Sequence, residues 1–539
     1  MSIYLVFILF AIFIAYSSCA ICPSHCDCPE PEIADCSGLG LHSIPRDIGP
    51  NIEFLDLSRN KIKAVHSDTF LKTKAKNLSM LILDYNEIEE IQPHAFKGLE
   101  NLDVLSLRGN KLTRLKPYAL TGISGRLGCQ QDCLVDLSEN DIQEIQKNAL
   151  AWIKRLSVFM GKSRTGLVLK AYSFYGVSDV RSIRIFDVPT LNVEPRAFTN
   201  AENVGSVEIF NTRMSTIKAF TFEGISDLQV LNISSCDIGD IESFGFSGIQ
   251  YTTGGTLAFA NQSVSRGGTF NLESSSLFEI PRHAFRDTNL VSITIKKNSI
   301  MQIAANAFQG LQSLESVYII GNNLPRLTSN SLSSLKNLKE IIIHRNDIGI
   351  IDSNAFYETQ EIQYISIGLS PSINLTINQN AFSHLYDVEH LVIQGVGYLD
   401  VEPLAFDDMV SVGLLEIKNA KIPEVHPETF TGLSKIRTLR MTNCNVSVVH
   451  TKAFGESISL GTVDLFDIST GNNLQCDCQT SNMLHDFENF FGAYKVTCEG
   501  GNISPNHVHA RDMPKCSAPS VFSDAHLVLL GFLMIIHYF

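Results

Sequence analysis

Leu55-Asp56-Leu57-Ser58-Arg59-Asn60-Lys61-Ile62 alternates apolar with polar residues and then spaces an Asn and an Ile behind them. The same spacing, L-x-L-x-x-N-x-L with aliphatic exchanges, returns at Leu81–Ile88, Leu105–Leu112, Val135–Ile142, Ile293–Ile300, Val317–Leu324 and Ile341–Ile348. The L-x-L segment is a short parallel strand with one face in and one face out. The Asn belongs in a buried turn, where its amide must be satisfied by the backbones of neighbouring units. A second motif follows each first one. His94-Ala95-Phe96-Lys97-Gly98-Leu99 recurs as Asn306-Ala307-Phe308-Gln309-Gly310-Leu311 and Glu428-Thr429-Phe430-Thr431-Gly432-Leu433. Its third position falls at 70, 96, 120, 150, 174, 198, 222, 246, 285, 308, 332, 356, 382, 406, 430 and 454, thirteen times Phe and three times Leu. Ten of the fifteen steps are 24 residues, and a constant period of that size means a solenoid. One coil cannot bury its apolar face alone, whereas stacked coils can. The repeated Phe then forms a spine of rings through the stack.

Composition agrees with an array and excludes several classes. A chain of 539 residues is too long for one compact core, which stops growing near ~250–300 residues. It is 44% hydrophobic, too much for a disordered chain. Basic residues are outnumbered 42 to 56 and the net charge is −14, which disfavours nucleic acid and anionic membrane surfaces as partners.

The period breaks in three places. Six extra residues lie between positions 120 and 150, in a stretch holding Cys129 and Cys133. These two are either a small local bridge or two free thiols. The step from 246 to 285 is 39 residues and carries Gly254-Gly255 and Ser265-Arg266-Gly267-Gly268, a surface excursion or a shortened coil. Residues 159–193 lack the Asn. Cys236 and Cys444 stand at the Asn position of Leu231–Ile238 and Leu439–Val446, where a buried thiol serves as a weak donor. They are too far apart for a disulfide, so both are expected to be reduced.

The ends point to a compartment. Leu5–Ala15 is an unbroken apolar run, followed by Ser18 and Ala20 at small-residue positions before Ile21. The pattern predicts a secretory leader without a basic residue before the run, a short buried element or an uncleaved anchor being the alternatives. Leu527–Ile536 is apolar again, with no Lys or Arg after Lys515. Small residues from Ser517, a spacer and a terminal apolar tail match the signal for a glycosylphosphatidylinositol anchor. A short tilted membrane helix and a plain hydrophobic terminus are the alternatives. Cys22, Cys26, Cys28 and Cys36 precede the first repeat, and Cys476, Cys478, Cys498 and Cys516 follow the last. An open solenoid exposes an apolar cross-section at each end, and cysteine-rich caps would cover both.

With these motifs the chain resembles the extracellular leucine-rich-repeat proteins that carry N- and C-terminal cysteine caps, and most of all the chaoptin and connectin cell-adhesion group. The resemblance implies an α/β repeat fold: a curved parallel sheet on the concave face, an irregular or 3-10 convex side, and disulfide-bonded caps. It implies the pairs Cys22–Cys28 and Cys26–Cys36 in front, and Cys476–Cys498 and Cys478–Cys516 behind. A cytoplasmic signalling domain of the Toll receptor kind is not expected. The expected organisation is a leader at 1–20, a cap at 21–50, about 16–17 repeats at 51–466, a second cap at 467–516 and an anchor signal at 517–539.

No nucleophile elbow, phosphate loop, zinc-protease helix or dinucleotide fingerprint occurs, so neither enzyme activity nor a cofactor is expected. His507-Val508-His509 reads as a solvated loop pair. Function is then expected on the outward residues of the sheet, which are free of packing constraints. They include Phe54, Asp56, Ile82, Asp84, Ser106, Arg108, Glu208, Phe210, Tyr318, Ile342, His344, Val392, Glu416, Lys418, Arg440, Asp464 and Phe466. Apolar residues among charges suit a protein interface. The expected role is a cell-surface glycoprotein on the extracellular face of the plasma membrane, or secreted, binding another protein in adhesion or recognition. Homophilic pairing is one option, a matrix protein or a non-catalytic subunit presenting an enzyme another. Glycosylation sequons stand at Asn77, Asn232, Asn261, Asn374, Asn445 and Asn502.

Overall fold

The computed structural model describes residues 22–73, 75–126, 133–252, 255–256, 263–264, 268–454, 463–472, 474–475, 491–496 and 498–499. A single parallel sheet runs through it, one main strand per coil, from Phe54–Asp56 through Val463–Asp467 to Phe491–Lys495. Each strand pairs in register with the next: Leu55 lies against Leu81, Leu81 against Leu105 and Leu105 against Val135. The inward residues of every L-x-L, such as Leu55, Leu57, Ile293, Ile295, Leu415 and Ile417, are fully buried and form one continuous core.

Backbone pairing alone does not close a coil. The buried Asn supplies what is missing. Asn86 Nδ2 donates to the Leu57 and Leu83 carbonyls at 2.8 and 3.1 Å, and its Oδ1 accepts from Ile62 N–H at 3.1 Å. Asn110 and Asn140 repeat this one and two coils on. Cys236 and Cys444 take the same place as free, buried thiols. Cys236 Sγ reaches the Ile209 and Ser234 carbonyls, and Cys444 Sγ those of Ile417 and Thr442. Six coils without the Asn have strands of 9–11 residues, so longer backbone pairing holds neighbours where the amide rung is absent.

The Phe residues stack as a spine. Phe174, Phe198, Phe222 and Phe246 follow one another at 4.8–5.9 Å between ring centroids. Phe246 then stacks directly on Phe285 at 5.2 Å, across the 39-residue step. The strands Val230–Ser234 and Thr269–Glu273 also pair directly. The long step is therefore an excursion and not a shortened coil, and it carries an antiparallel pair at Gly255–Thr256 and Ser263–Val264.

The side opposite the sheet takes the irregular form of the two expected, irregular or 3-10. The described residues hold one 3-10 segment, Thr451–Phe454. Elsewhere turns alternate with short parallel ladders such as Ala64–Val65 with Glu90–Ile91. The reason is local: the residue two before the spine position sits at positive φ in coil after coil (His94 61°, Tyr118 62°, Asn306 60°, Glu428 63°), which no right-handed helical turn admits.

At the front, Cys22–Cys28 and Cys26–Cys36 are disulfide-bonded. The cap strand Ile33–Asp35 extends the sheet against Phe54–Asp56, and Asn60 Nδ2 bonds the Cys36 carbonyl at 2.8 Å. The cap thus joins the ladder of rungs. Cys133 is disulfide-bonded, while Cys129 lies outside the described residues. So do Cys476, Cys478 and Cys516; Cys498 begins a two-residue strand beside Leu474–Gln475. The leader at 1–20 and the tail from Ser517 lie outside as well. No helix among the described residues is long and apolar enough to cross a membrane.

Candidate functional site

Because the strands are in register, their outward side chains form columns across the sheet. One column runs Ile33, Phe54, Met80, Val104, Leu134, all half-buried. The next runs Asp35, Asp56, Ile82, Ser106, Asp136. An apolar stripe at the N-terminal end is thus flanked by carboxylates. Arg108 closes this end: its guanidinium meets Glu139 at 2.6 Å and lies 5.9 Å from the Tyr85 ring centroid. The Arg108 hydrogen bond holds the Glu139 carboxyl below the usual carboxylate range. Asp84 is pushed above it by burial, against opposing hydrogen bonds from Ser106 and the Arg108 N–H.

The middle of the face is more self-contained. Arg184 pairs with Glu208 at 3.0 Å and lies over the Phe159 ring, while Phe186 stacks on Phe210 at 5.2 Å. Beyond Glu208 the column continues through Asn232 and Asn271. Toward the C-terminal end Tyr318 bonds Glu340 and Ile342 stands beside Tyr318. Ser366 Oγ shares hydrogen bonds with His344 and Gln394 at 2.8 Å each. Burial, helped by Arg345, pushes the His344 imidazole below its ordinary value. Lys418 pairs with Glu416 at 2.9 Å and Arg440 with Asp467 at 3.3 Å.

Phe54, Asp56, Ile82, Arg108, Glu208, Phe210, Tyr318, Ile342, Glu416 and Arg440 all occupy outward positions, partly exposed. Three other expected residues do not offer a free surface. Ser106 and Val392 point outward yet are buried by their neighbours. Phe466 is a core residue: it lies opposite Leu439, fully buried and edge-on to Phe454, so Asp467 is the outward residue beside Arg440. A slip of one residue in a period of two exchanges the faces. Of the sequons, Asn77, Asn374 and Asn445 are exposed and Asn232 is half-buried on the sheet face; Asn261 and Asn502 lie outside the described residues. One cluster escaped the sequence reading: Glu424, His426 and His450 meet outside the main sheet. Its signal was an acid two residues before a His, with a second His one 24-residue period later.

Rungs, spine and parallel sheet together define a leucine-rich-repeat solenoid. Family models agree. The model of the BspA type leucine rich repeat region matches residues 167–257, 255–389 and 350–480, and a further leucine rich repeat model matches 76–125. The chain belongs to the leucine-rich-repeat proteins. It is 41% identical over 96 residues to leucine-rich repeat-containing protein 3 of Rattus norvegicus, covering 17% of this chain and 35% of that one. Leucine-rich repeat-containing protein 3B of Bos taurus is 32% identical over 143 residues, covering 26% and 43%. The chain thus spans less than half the length of these relatives. Among solved structures, a chain of the Drosophila Toll–Spatzle complex aligns with 87% of this chain and 62% of its own, at 15% identity and a TM-score of 0.41.

Proposed function

We propose that this chain is a cell-surface glycoprotein that binds another protein through the outer face of its sheet, in adhesion or recognition. The observation that carries the reading is the N-terminal stripe Ile33, Phe54, Met80, Val104 and Leu134, half-exposed on five successive strands beside Asp35, Asp56 and Asp136. A partner suited to it presents an apolar ridge with basic residues at its rim. Truncating apolar residues at the centre of such a patch removes most of the binding energy, whereas rim charges act mainly on the rate of encounter. The leader at 1–20 and the anchor at Ser517 would place this face outside the plasma membrane.

The test is binding of the soluble chain, residues 21–516, to intact cells. Phe54→Asp with Met80→Asp should abolish it, while a charge change on the opposite side, such as Lys97→Glu, should not. Equal binding by the stripe variant overturns the reading. For the anchor, release of the full chain from cells by a phosphatidylinositol-specific phospholipase is expected. Constitutive appearance in the medium overturns that part.

A further inference from the structure

Glu424-Val425-His426 begins in the short parallel ladder opposite the main sheet. Val425 is buried, so its two neighbours both point away from the core. The next coil pairs Glu424 with Val448 and Val425 with Val449, which brings His450 alongside His426. The two imidazole rings face each other at 6.4 Å between centroids and 19° between planes. His450 Nε2 bonds Glu424 Oε1, and His426 Nδ1 lies 3.7 Å from that same oxygen. One ligand atom from each of the three residues falls within 4.8 Å of the others.

We propose that Glu424, His426 and His450 form a site for one divalent transition-metal ion of the zinc class. Two imidazole nitrogens and one carboxylate oxygen are a donor set that suits zinc, and three protein ligands leave a fourth position open. Calcium and magnesium need more oxygens than this cluster supplies. A tetrahedral ion with bonds of ~2.0–2.1 Å holds its ligand atoms roughly 3.3–3.5 Å apart. The 3.7 Å pair is near that separation already, and the Glu424–His450 hydrogen bond would open to admit the ion. The side chains are 38–52% exposed, so they have room to turn. Beside them lies a cavity of about 240 Å³ lined by Tyr398, Leu399, Ile422 and Phe430, with Glu424 and His426 in its wall. The fourth position would be open to solvent and to this cavity. Because His450 belongs to the next coil, the ion would tie two consecutive repeats together.

The experiment titrates the untagged, secreted full chain with Zn²⁺ by calorimetry, and with Co²⁺ read by its visible absorption. The parent is compared with Glu424→Gln, His426→Gln and His450→Gln. The expected result is one ion more for the parent than for the variants, or at least ~10-fold weaker binding of that ion in each variant. Co²⁺ should give an intense four-coordinate spectrum in the parent alone. Zinc should raise the parent's melting temperature and leave that of the variants nearly unchanged, while the metal-free proteins melt alike. The parent serves as its own reference for other histidines, which contribute equally to all four proteins. The proposal is overturned if parent and variants take up the same number of ions with the same affinity, or if the parent takes up none.

Discussion

At the residue scale, the two rungs made by sulfur test the ladder most directly. Burial pushes the Cys236 and Cys444 thiols up to about 11, so neither is a thiolate near neutrality. Both should resist a disulfide reagent in the folded chain and react once urea unfolds it; fast labelling without denaturant would show the coils open there. Cys236→Ala removes the thiol that reaches the Ile209 and Ser234 carbonyls, the latter keeping its bond from the Asn211 N–H, and should cost about 1–2 kcal/mol. Cys236→Asn offers the group that other coils use, and should cost less than the alanine in the same urea titration. His344 makes a separate prediction about pH. Its folded value lies below the unfolded one, near ~6.5, so the unfolded chain takes up the proton more readily. Its contribution is therefore present above about pH 6.5 and lost as pH falls through and below that value. The melting temperature should drop on acidification from pH 7 to 5, and His344→Gln should shrink the drop. An unchanged drop would remove His344 from the account.

At the element scale, the spine separates size from shape. Phe222 stacks between Phe198 and Phe246 and is fully buried. Phe222→Ala should cost ~3–5 kcal/mol, measured as the shift in the urea midpoint of the transition. Phe222→Leu should cost about 1 kcal/mol, because Leu120, Leu150 and Leu332 already serve as spine residues. A leucine variant as damaged as the alanine would mean that ring stacking, not filled volume, holds the coils. The spine and the L-x-L strands were legible in the sequence because their constraint repeats every coil. The Cys236 and Cys444 rungs were legible for the same reason. Legibility failed where the repeat does. Phe466 looked outward because the step from Leu439 lengthens from 24 to 27 residues near the end of the array, and an odd slip exchanges the faces. Spacing left the convex side open between irregular and 3-10, because the left-handed residue that decides it in nearly every coil leaves no motif that hydrophobic spacing reveals. The His-Glu cluster stayed hidden because its members come from different coils and carry no apolar period.

At the scale of the whole molecule, the face is long enough that position along it matters. Its N-terminal end presents an apolar stripe, its middle a set of pairs satisfied among themselves, and Asn232 stands at the boundary between the Glu208 pair and Asn271. Asn232 lies between two buried residues, Leu231 and Ile233, so its amide points away from the core. It is also the first residue of an N-x-S sequon. A glycan there would spread over several neighbouring strands, which stand ~4.8 Å apart, and bar a large partner from the centre. We therefore expect Asn232 to be occupied, and binding to concentrate on the N-terminal strands at 54–108 or the C-terminal ones at 390–467. Two measurements decide it: glycan occupancy at Asn232 by peptide mapping of the secreted chain, and partner binding by Asn232→Gln. Removal of the glycan should open the centre to binding, so that alanine at Glu208 or Phe210 matters only in the Asn232→Gln background. An occupied site whose removal opens nothing, with a footprint at Glu208 and Phe210 already present in the parent, would place the partner on the middle of the sheet instead.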